Sequence, residues 1–405
     1  MRRMHPVWTL VWCAGAMLAI NMGIRQTFGL YLKPISQDLD LDRQVFSLSM
    51  AILNLVWGLS APFAGAVSDK FGATRVVLAG TAFYIAGLIL MATASGGSHV
   101  VLAGGLIGLG VSGTGFTAIF GVIARAAPPD ERASALGLAT MGSAVGQFVA
   151  LPYAHVILET AGWVTTLWIM AGTAALMGPL AFTFSKGADT APHPSAHSEQ
   201  RIASALAEAV KYPSFLLLTA GFFVCGFHIA AVAVHLPAFL ADKGFNPGLG
   251  AIALTVIGAA NILGTYACGR VGDAMPKHLV LAALYLARGC VFLALLYLPL
   301  TETSVLIYAF LLGLLWLGTI PLTSGLIVTF FGPRWLSMLY GIVFLSHQVG
   351  SFMGAWIGGW LYDTTHSYDL LWWAAVAVAV LAALLHLPIR EQSAPRPAVA
   401  AAPAE

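Results

Sequence analysis

Twelve apolar runs, each long enough to cross a bilayer, constrain this chain more than any other feature. They fall at about 7–32, 44–68, 74–95, 99–124, 133–158 and 162–184, and then at 213–240, 249–269, 279–299, 304–330, 336–361 and 369–388. A helical crossing needs about 20 apolar residues. Only helices and closed barrels satisfy their backbone in lipid, and these runs are too long and continuous for barrel strands. The expected fold class is therefore all-α integral membrane, with twelve transmembrane helices numbered here in chain order. Composition agrees: 59% of residues are hydrophobic and 9% charged, where a soluble domain carries about 25% charged residues. The leading MRRMHP resembles the start of a signal peptide, but the run behind it is too long, so an uncleaved first helix is expected. A net charge of +2 gives no reason to expect nucleic acid as a partner.

Charge placement sets the orientation. With the N-terminus inside, fourteen basic residues lie on the cytoplasmic side, from Arg2 and Arg3 through Lys70, Arg75 and Lys277 to Arg396. Only Lys33, Arg43 and Lys243 lie outside, and Arg25 and Arg288 fall within the apolar runs. This is a strong positive-inside bias, so both termini are expected in the cytoplasm and the chain in a bacterial inner membrane.

An internal repeat divides the chain. Gly65-Ala-Val-Ser-Asp69 and Gly269-Arg-Val-Gly-Asp273 are 204 residues apart, and the same offset pairs Gly121 with Gly325, Pro129 with Pro333, Gly137 with Gly341 and Gly146 with Gly350. Two six-helix halves without net insertion are expected. The expected boundaries are 1–185 for the first half, 186–212 for a polar cytoplasmic linker, 213–390 for the second half and 391–405 for a cytoplasmic tail. Pro and Ser at the linker's start mark a loop, and 199–210 is expected to form a short surface helix. His193 and His197 in the linker read as solvated, so no metal site is expected. The four cysteines lie in apolar runs without ligand or disulfide spacing and read as packing residues.

The stretch Gly65 to Asp69, continued by Lys70, Gly72 and Arg75, resembles the loop signature between helices 2 and 3 of the major facilitator superfamily, and Gly269 to Asp273 with Lys277 resembles its weaker second copy. The resemblance extends over residues 7–390 and implies two pseudo-symmetric six-helix bundles around a cavity lined by helices 1, 4, 7 and 10. It also implies a cytoplasmic latch, for which the matching residues are Asp69, Lys70, Arg75 and Asp273. The segment around Arg25 and the stretch from Thr323 to Asp363 are similar to monocarboxylate and oxalate–formate type carriers. Those carriers' helix-8 arginine and neighbouring acid correspond here to Thr265 and Asn261, and their usual helix-1 basic residue to Gln26, so the substrate class is not copied.

The intramembrane ionisable residues point to an anion. A guanidinium does not shed its charge, and placing it in lipid costs at least about 2.5–3.5 kcal/mol. Arg25 is therefore expected to face a polar cavity and grip an anionic substrate. All seventeen acidic residues lie in loops or at helix ends, which leaves no mid-membrane carboxylate for a cation. His228 lies opposite Ile24 by the repeat offset, so it is expected across the pseudo-two-fold axis from Arg25, either carrying a coupling proton or bonded to a carbonyl. His347 and Gln348 replace Ser143 and Ala144 of the first half, an asymmetry expected at a site. Gln147, Asn261, Trp316, Thr319 and Thr323 are candidate lining residues, with Asn54 and Tyr266 weaker. Arg288, the counterpart of Tyr84, is expected to bond carbonyls.

Gly108-Leu-Gly110-Val-Ser-Gly113 matches a nucleotide-loop pattern but lies within helix 4, where small residues serve close helix packing. No phosphate loop, nucleophile elbow or zincin motif is present, so neither an enzyme nor a cofactor is expected. The expected function is secondary transport of a small organic anion, a monocarboxylate first, by alternating access in a monomer with proton coupling. A multidrug or toxic-compound exporter is the alternative. A transporter-like sensor would need an output domain, for which the tails of about six and fifteen residues leave no room.

Overall fold

A computed structural model of the chain describes residues 6–127, 132–184, 206–332 and 336–394. Among the described residues every regular element is helical. The first half begins with α1 (Pro6–Gln26), which continues through a 3-10 turn, Phe28–Tyr31, into a short helix, Leu32–Asp38. Next come α2 (Arg43–Phe71), α3 (Ala73–Ala92) and α4, which is in two pieces, Gly97–Thr114 and Phe116–Ala126. The stretch Arg132–Ala175 supplies α5 and α6, divided at Gly162 (φ 77°). The second half consists of α7 (Pro213–Asp242), α8 (Pro247–Ala274), α9 (Lys277–Tyr297), α10 in two pieces (Glu302–Leu314 and Thr319–Phe331), α11 (Leu336–Thr365) and α12 (Asp369–His386).

Among the described residues ten stretches are long and apolar enough to span a membrane. One of them, Gly137–Phe184, has 48 residues, about 72 Å of helix at 1.5 Å per residue. That is twice the ~30 Å hydrocarbon thickness, so it makes two crossings that turn at Gly162. The thirty-residue α11 is also long enough to cross, which gives twelve spanning helices. Of the expected 199–210 surface helix, 206–211 is helical and 199–205 lies outside the described residues. His193 and His197 also lie outside them.

The repeat is visible in the helix crossings. α1 packs on α5 and α7 on α11. In the first pair a Cβ on Gly146 would stand 2.0 Å from the Ala19 carbonyl oxygen, and in the second a Cβ on Gly350 would stand 1.9 Å from that of Phe223. Ala19 and Phe223 are themselves 204 residues apart, so the same backbone-on-backbone contact recurs in both halves. Helices meet this closely where small residues remove the side-chain barrier, since lipid supplies no hydrophobic drive for association. The two halves meet along α2 with α11 and along α5 with α8.

Candidate functional site

Where α2 meets α11, five side chains from both halves gather around Arg25. The arginine is the penultimate residue of α1 and is partly buried. Its Nη2 donates to Asn54 Oδ1 at 3.0 Å, and its guanidinium carbon lies 5.0 Å from the centre of the Trp57 ring. Asn54 and Trp57 lie three residues apart on α2 and therefore share a face. The Asn54 amide is aimed by its own donation to the Met50 carbonyl at 2.8 Å. From the second half, Gln348 Nε2 donates to the Asn54 carbonyl at 3.2 Å, and His347 Nδ1 lies 2.9 Å from Gln348 Oε1. Phe344 closes the ring: it meets Trp57 edge-on at 5.3 Å and stacks on His347 at 5.7 Å.

The electrostatics of this ring are unbalanced. The described ion pairs do not include Arg25, and its buried Nε has no hydrogen-bond partner. A neutral amide and an aromatic face orient the guanidinium without cancelling its charge. Such an arrangement accepts a carboxylate, whose two oxygens match the guanidinium's parallel donors.

The structure thus brings Arg25, His347 and Gln348 together, with Asn54 as the direct partner of the arginine. It does not bring His228 to Arg25. His228 is fully buried, with Nε2 2.9 Å from the Ala375 carbonyl of α12 and its ring 5.0 Å from Phe292 of α9. The rotational phase of α7 turns it into the second half's own bundle, and of the two roles expected for it the carbonyl bond is the one found.

Asn261, Trp316, Thr319 and Thr323 also belong to that bundle's interior rather than to the ring. Asn261 Oδ1 accepts from Leu317 N at 3.0 Å and from Thr265 Oγ1 at 3.1 Å. Thr319 Oγ1 lies 3.3 Å from Cys225 Sγ, Thr323 is fully buried, and Trp316 is buried in the break of α10. Gln147 is half-buried on α5, and Tyr266 is 72% exposed on α8. Arg288 donates to carbonyls, as expected. Of the residues expected to form a latch, Arg75 and Asp273 are exposed near helix ends, and the side chains of Asp69 and Lys70 lie outside the described residues. Trp57 and Phe344 were not anticipated, although each sits three residues from a named polar residue.

At the end of the bundle opposite the N-terminus the halves are joined by a second set of groups, of which the sequence disclosed only the charges of Lys33, Arg43 and Lys243. Asp242 at the end of α7 accepts from Lys33 Nζ at 2.8 Å and from Arg43 Nη1 and Nη2 at 2.5 and 2.9 Å. The Arg43 guanidinium lies over the Tyr362 ring at 3.6 Å and donates to Tyr368 Oη at 3.0 Å. Asp363 accepts the backbone N–H groups of Arg43 and Gln44, at 3.2 and 2.7 Å, and so caps α2 from the other half. A Cβ on Gly29 would stand 1.9 Å from the Ala233 carbonyl, so this end of the bundle is closed down to backbone contact. Asp242→Asn removes both ion pairs at once. Labelling of Ala233→Cys by an impermeant thiol reagent on the purified protein is then expected to rise about fivefold, since partly exposed pairs contribute up to about 1 kcal/mol. Unchanged labelling would mean that packing alone closes this face.

Two six-helix halves related by a repeat, meeting around the partly buried Arg25, define a polytopic membrane protein. The family model described as Major Facilitator Superfamily matches residues 11–355, and the chain belongs to that superfamily. It is 26% identical over 383 residues to an uncharacterized MFS-type transporter, YcxA, of Bacillus subtilis, covering 91% of this chain and 92% of that one. It is 27% identical over 376 residues to monocarboxylate transporter 13 of Rattus norvegicus, covering 89% and 83%. The fold matches a crystal structure of a bacterial homolog of the human lysosomal transporter Spinster, with a TM-score of 0.78 at 14% identity over 95% of this chain and 97% of that one. The chain is a multi-pass membrane transporter.

Proposed function

We propose that this transporter carries a small organic anion, with monocarboxylates as the first class, by alternating access across a bacterial inner membrane with both termini cytoplasmic. The observation that carries the reading is Arg25, held between the halves by Asn54 and Trp57 with no acidic partner among the described ion pairs. A buried charge left unpaired is costly, and a carboxylate entering from solution relieves that cost. Both halves contribute to the ring, so an anion bound there senses their relative position. The relatives named monocarboxylate transporters support the same class.

Proton coupling falls to His347 rather than His228. His347 is joined to the arginine through Gln348 and Asn54, and its imidazole carries two ring nitrogens that can hold or release a proton. A proton taken up there offsets the charge of the anion during the crossing. Asp69, Lys70, Arg75 and Asp273 complete the proposal as the latch that closes the inner face when the outer contacts at Asp242 open.

A thermal-shift panel on the purified protein tests the substrate class. Short monocarboxylates are expected to raise the melting temperature, and at about 100 times Kd the stabilisation reaches ~2.7 kcal/mol. Cations and uncharged amides of the same size are expected to leave it unchanged. A panel in which only lipophilic cations or bulky aromatic compounds stabilise would favour an exporter and overturn the reading.

A further inference from the structure

Helices α4 and α10 are both broken, and the repeat offset places the two breaks within one helical turn of each other: Gly115 maps onto Thr319, directly after the break of α10. In α4 the helix stops at Thr114, Gly115 is extended (φ −93°, ψ −167°), and helix resumes at Phe116. In α10 the four residues Leu315–Gly318 are non-helical between the two pieces. A broken helix leaves carbonyls of one piece and amides of the other without intrahelical partners. Within the membrane those groups must be satisfied by protein.

Each break is met by side chains from neighbouring helices. In the first half, Asn21 Nδ2 of α1 donates to the Val111 carbonyl at 3.2 Å and to Thr114 Oγ1 at 2.7 Å, while Tyr84 Oη of α3 donates to the Asn21 carbonyl at 3.0 Å. In the second half, Arg288 of α9 donates from Nε to the Leu315 carbonyl at 2.9 Å, and from Nη2 to the carbonyls of Leu315 and Trp316. Asn261 Oδ1 of α8 accepts the Leu317 N–H at 3.0 Å.

The correspondence is residue by residue. The 204 offset maps Tyr84 onto Arg288, Val111 onto Leu315, and Asn21 onto Cys225, whose thiol meets Thr319 at the start of the second piece. Arg288 is 1% exposed, and the described ion pairs do not include it. Its charge stands at the carbonyl end of Glu302–Leu314, where the helix dipole favours a cation.

We infer that α4 and α10 are matched discontinuous helices, and that Arg288 with Asn261 is the polar clamp that fixes the joint of α10, as Asn21 backed by Tyr84 fixes that of α4. Arg288 is on this account a positioning residue: it sets the geometry of a helix next to the pathway and does not touch the transported anion. Paired interruptions at corresponding positions of two halves mark the moving and binding region of repeat-built transporters. The inference does not rest on the identity of the substrate.

Hydrogen–deuterium exchange on the full-length protein in lipid nanodiscs tests it without any ligand. In Arg288→Gln, peptides covering 313–320 are expected to exchange about tenfold faster, while peptides from α9, α7 and the first half keep their wild-type rates. Arg288→Lys restores slow exchange in large part, because an ammonium still reaches a carbonyl. Asn261→Leu, which removes the acceptor of the Leu317 N–H together with that of the Thr265 hydroxyl within α8, speeds the same peptides and supplies the test if Arg288→Gln does not fold. Asn21→Leu speeds exchange at 114–119 alone. Unchanged exchange at 313–320 in both folded variants would overturn the clamp. Acceleration spread through the whole second half would overturn it as well, since that is the signature of lost general packing.

Discussion

Arg25→Gln is expected to reduce monocarboxylate uptake into proteoliposomes by a factor of about thirty or more while leaving the folded protein at least as stable as wild type. The two effects have one cause. Removing one partner of a buried, hydrogen-bonded charge pair costs about 2–5 kcal/mol, and each 1.4 kcal/mol is about tenfold in affinity. That loss is felt only when the anion is present. In the empty protein the guanidinium is a partly buried charge held by Asn54 and the Trp57 ring with no acidic partner among the described ion pairs, so neutralising it relieves a penalty. Melting of the empty Arg25→Gln protein should therefore occur at or above the wild-type temperature. Arg25→Lys keeps the charge but loses the planar fork that fits a carboxylate and stacks on Trp57, so it should recover only a small part of the uptake. Parallel loss of stability and uptake in Arg25→Gln would instead make the arginine a structural element.

Gly146→Leu and Gly350→Leu are expected to prevent accumulation of folded protein, whereas Gly137→Leu and Gly341→Leu are expected to be tolerated. All four glycines belong to pairs of the 204 repeat, yet their surroundings differ. A Cβ at Gly146 or Gly350 would overlap a carbonyl oxygen of the facing helix at 2.0 or 1.9 Å, while nothing lies within 4 Å of one at Gly137 or Gly341. The obstacle is backbone, so α1 and α5, or α7 and α11, must separate along their length. Overpacking of this kind costs about 1–3 kcal/mol for a methylene in a core that can adjust, and a facing backbone adjusts less than a side chain. Detergent-solubilised yield and size-exclusion profiles of the four variants check the prediction. Equal yields from all four would mean that the helix contacts are looser than described.

These glycines also illustrate what can be read from the chain. Spacing alone exposed the repeat and the twelve crossings, because lipid forces helices and fixes their length. The same spacing could not separate the two glycines that carry helix contacts from the two that face open space, since that depends on the rotational phase of each helix. Phase is hard to read here because α7 and its neighbours are apolar on every side and carry no polar stripe. His228 is the clearest consequence: its depth was right for a partner of Arg25, but its direction sends it to the Ala375 carbonyl. Asn261 and Thr319 lie outside the ring for a related reason, as their polar atoms are engaged at the break of α10, and a break is not visible in an unbroken apolar run. Arg25, His347 and Gln348 were legible because a charge or an asymmetric polar pair in lipid needs an explanation. Trp57 and Phe344 were not, because an aromatic residue in an apolar run needs none.

The most direct measurement of the central claim is calorimetric binding of a short monocarboxylate and of its uncharged amide to the purified protein and to Arg25→Gln. The account predicts that the anion binds to wild type, that the amide does not, and that neither binds measurably to Arg25→Gln. Equal affinity for the acid and its amide, or an unchanged Kd in Arg25→Gln, would contradict it.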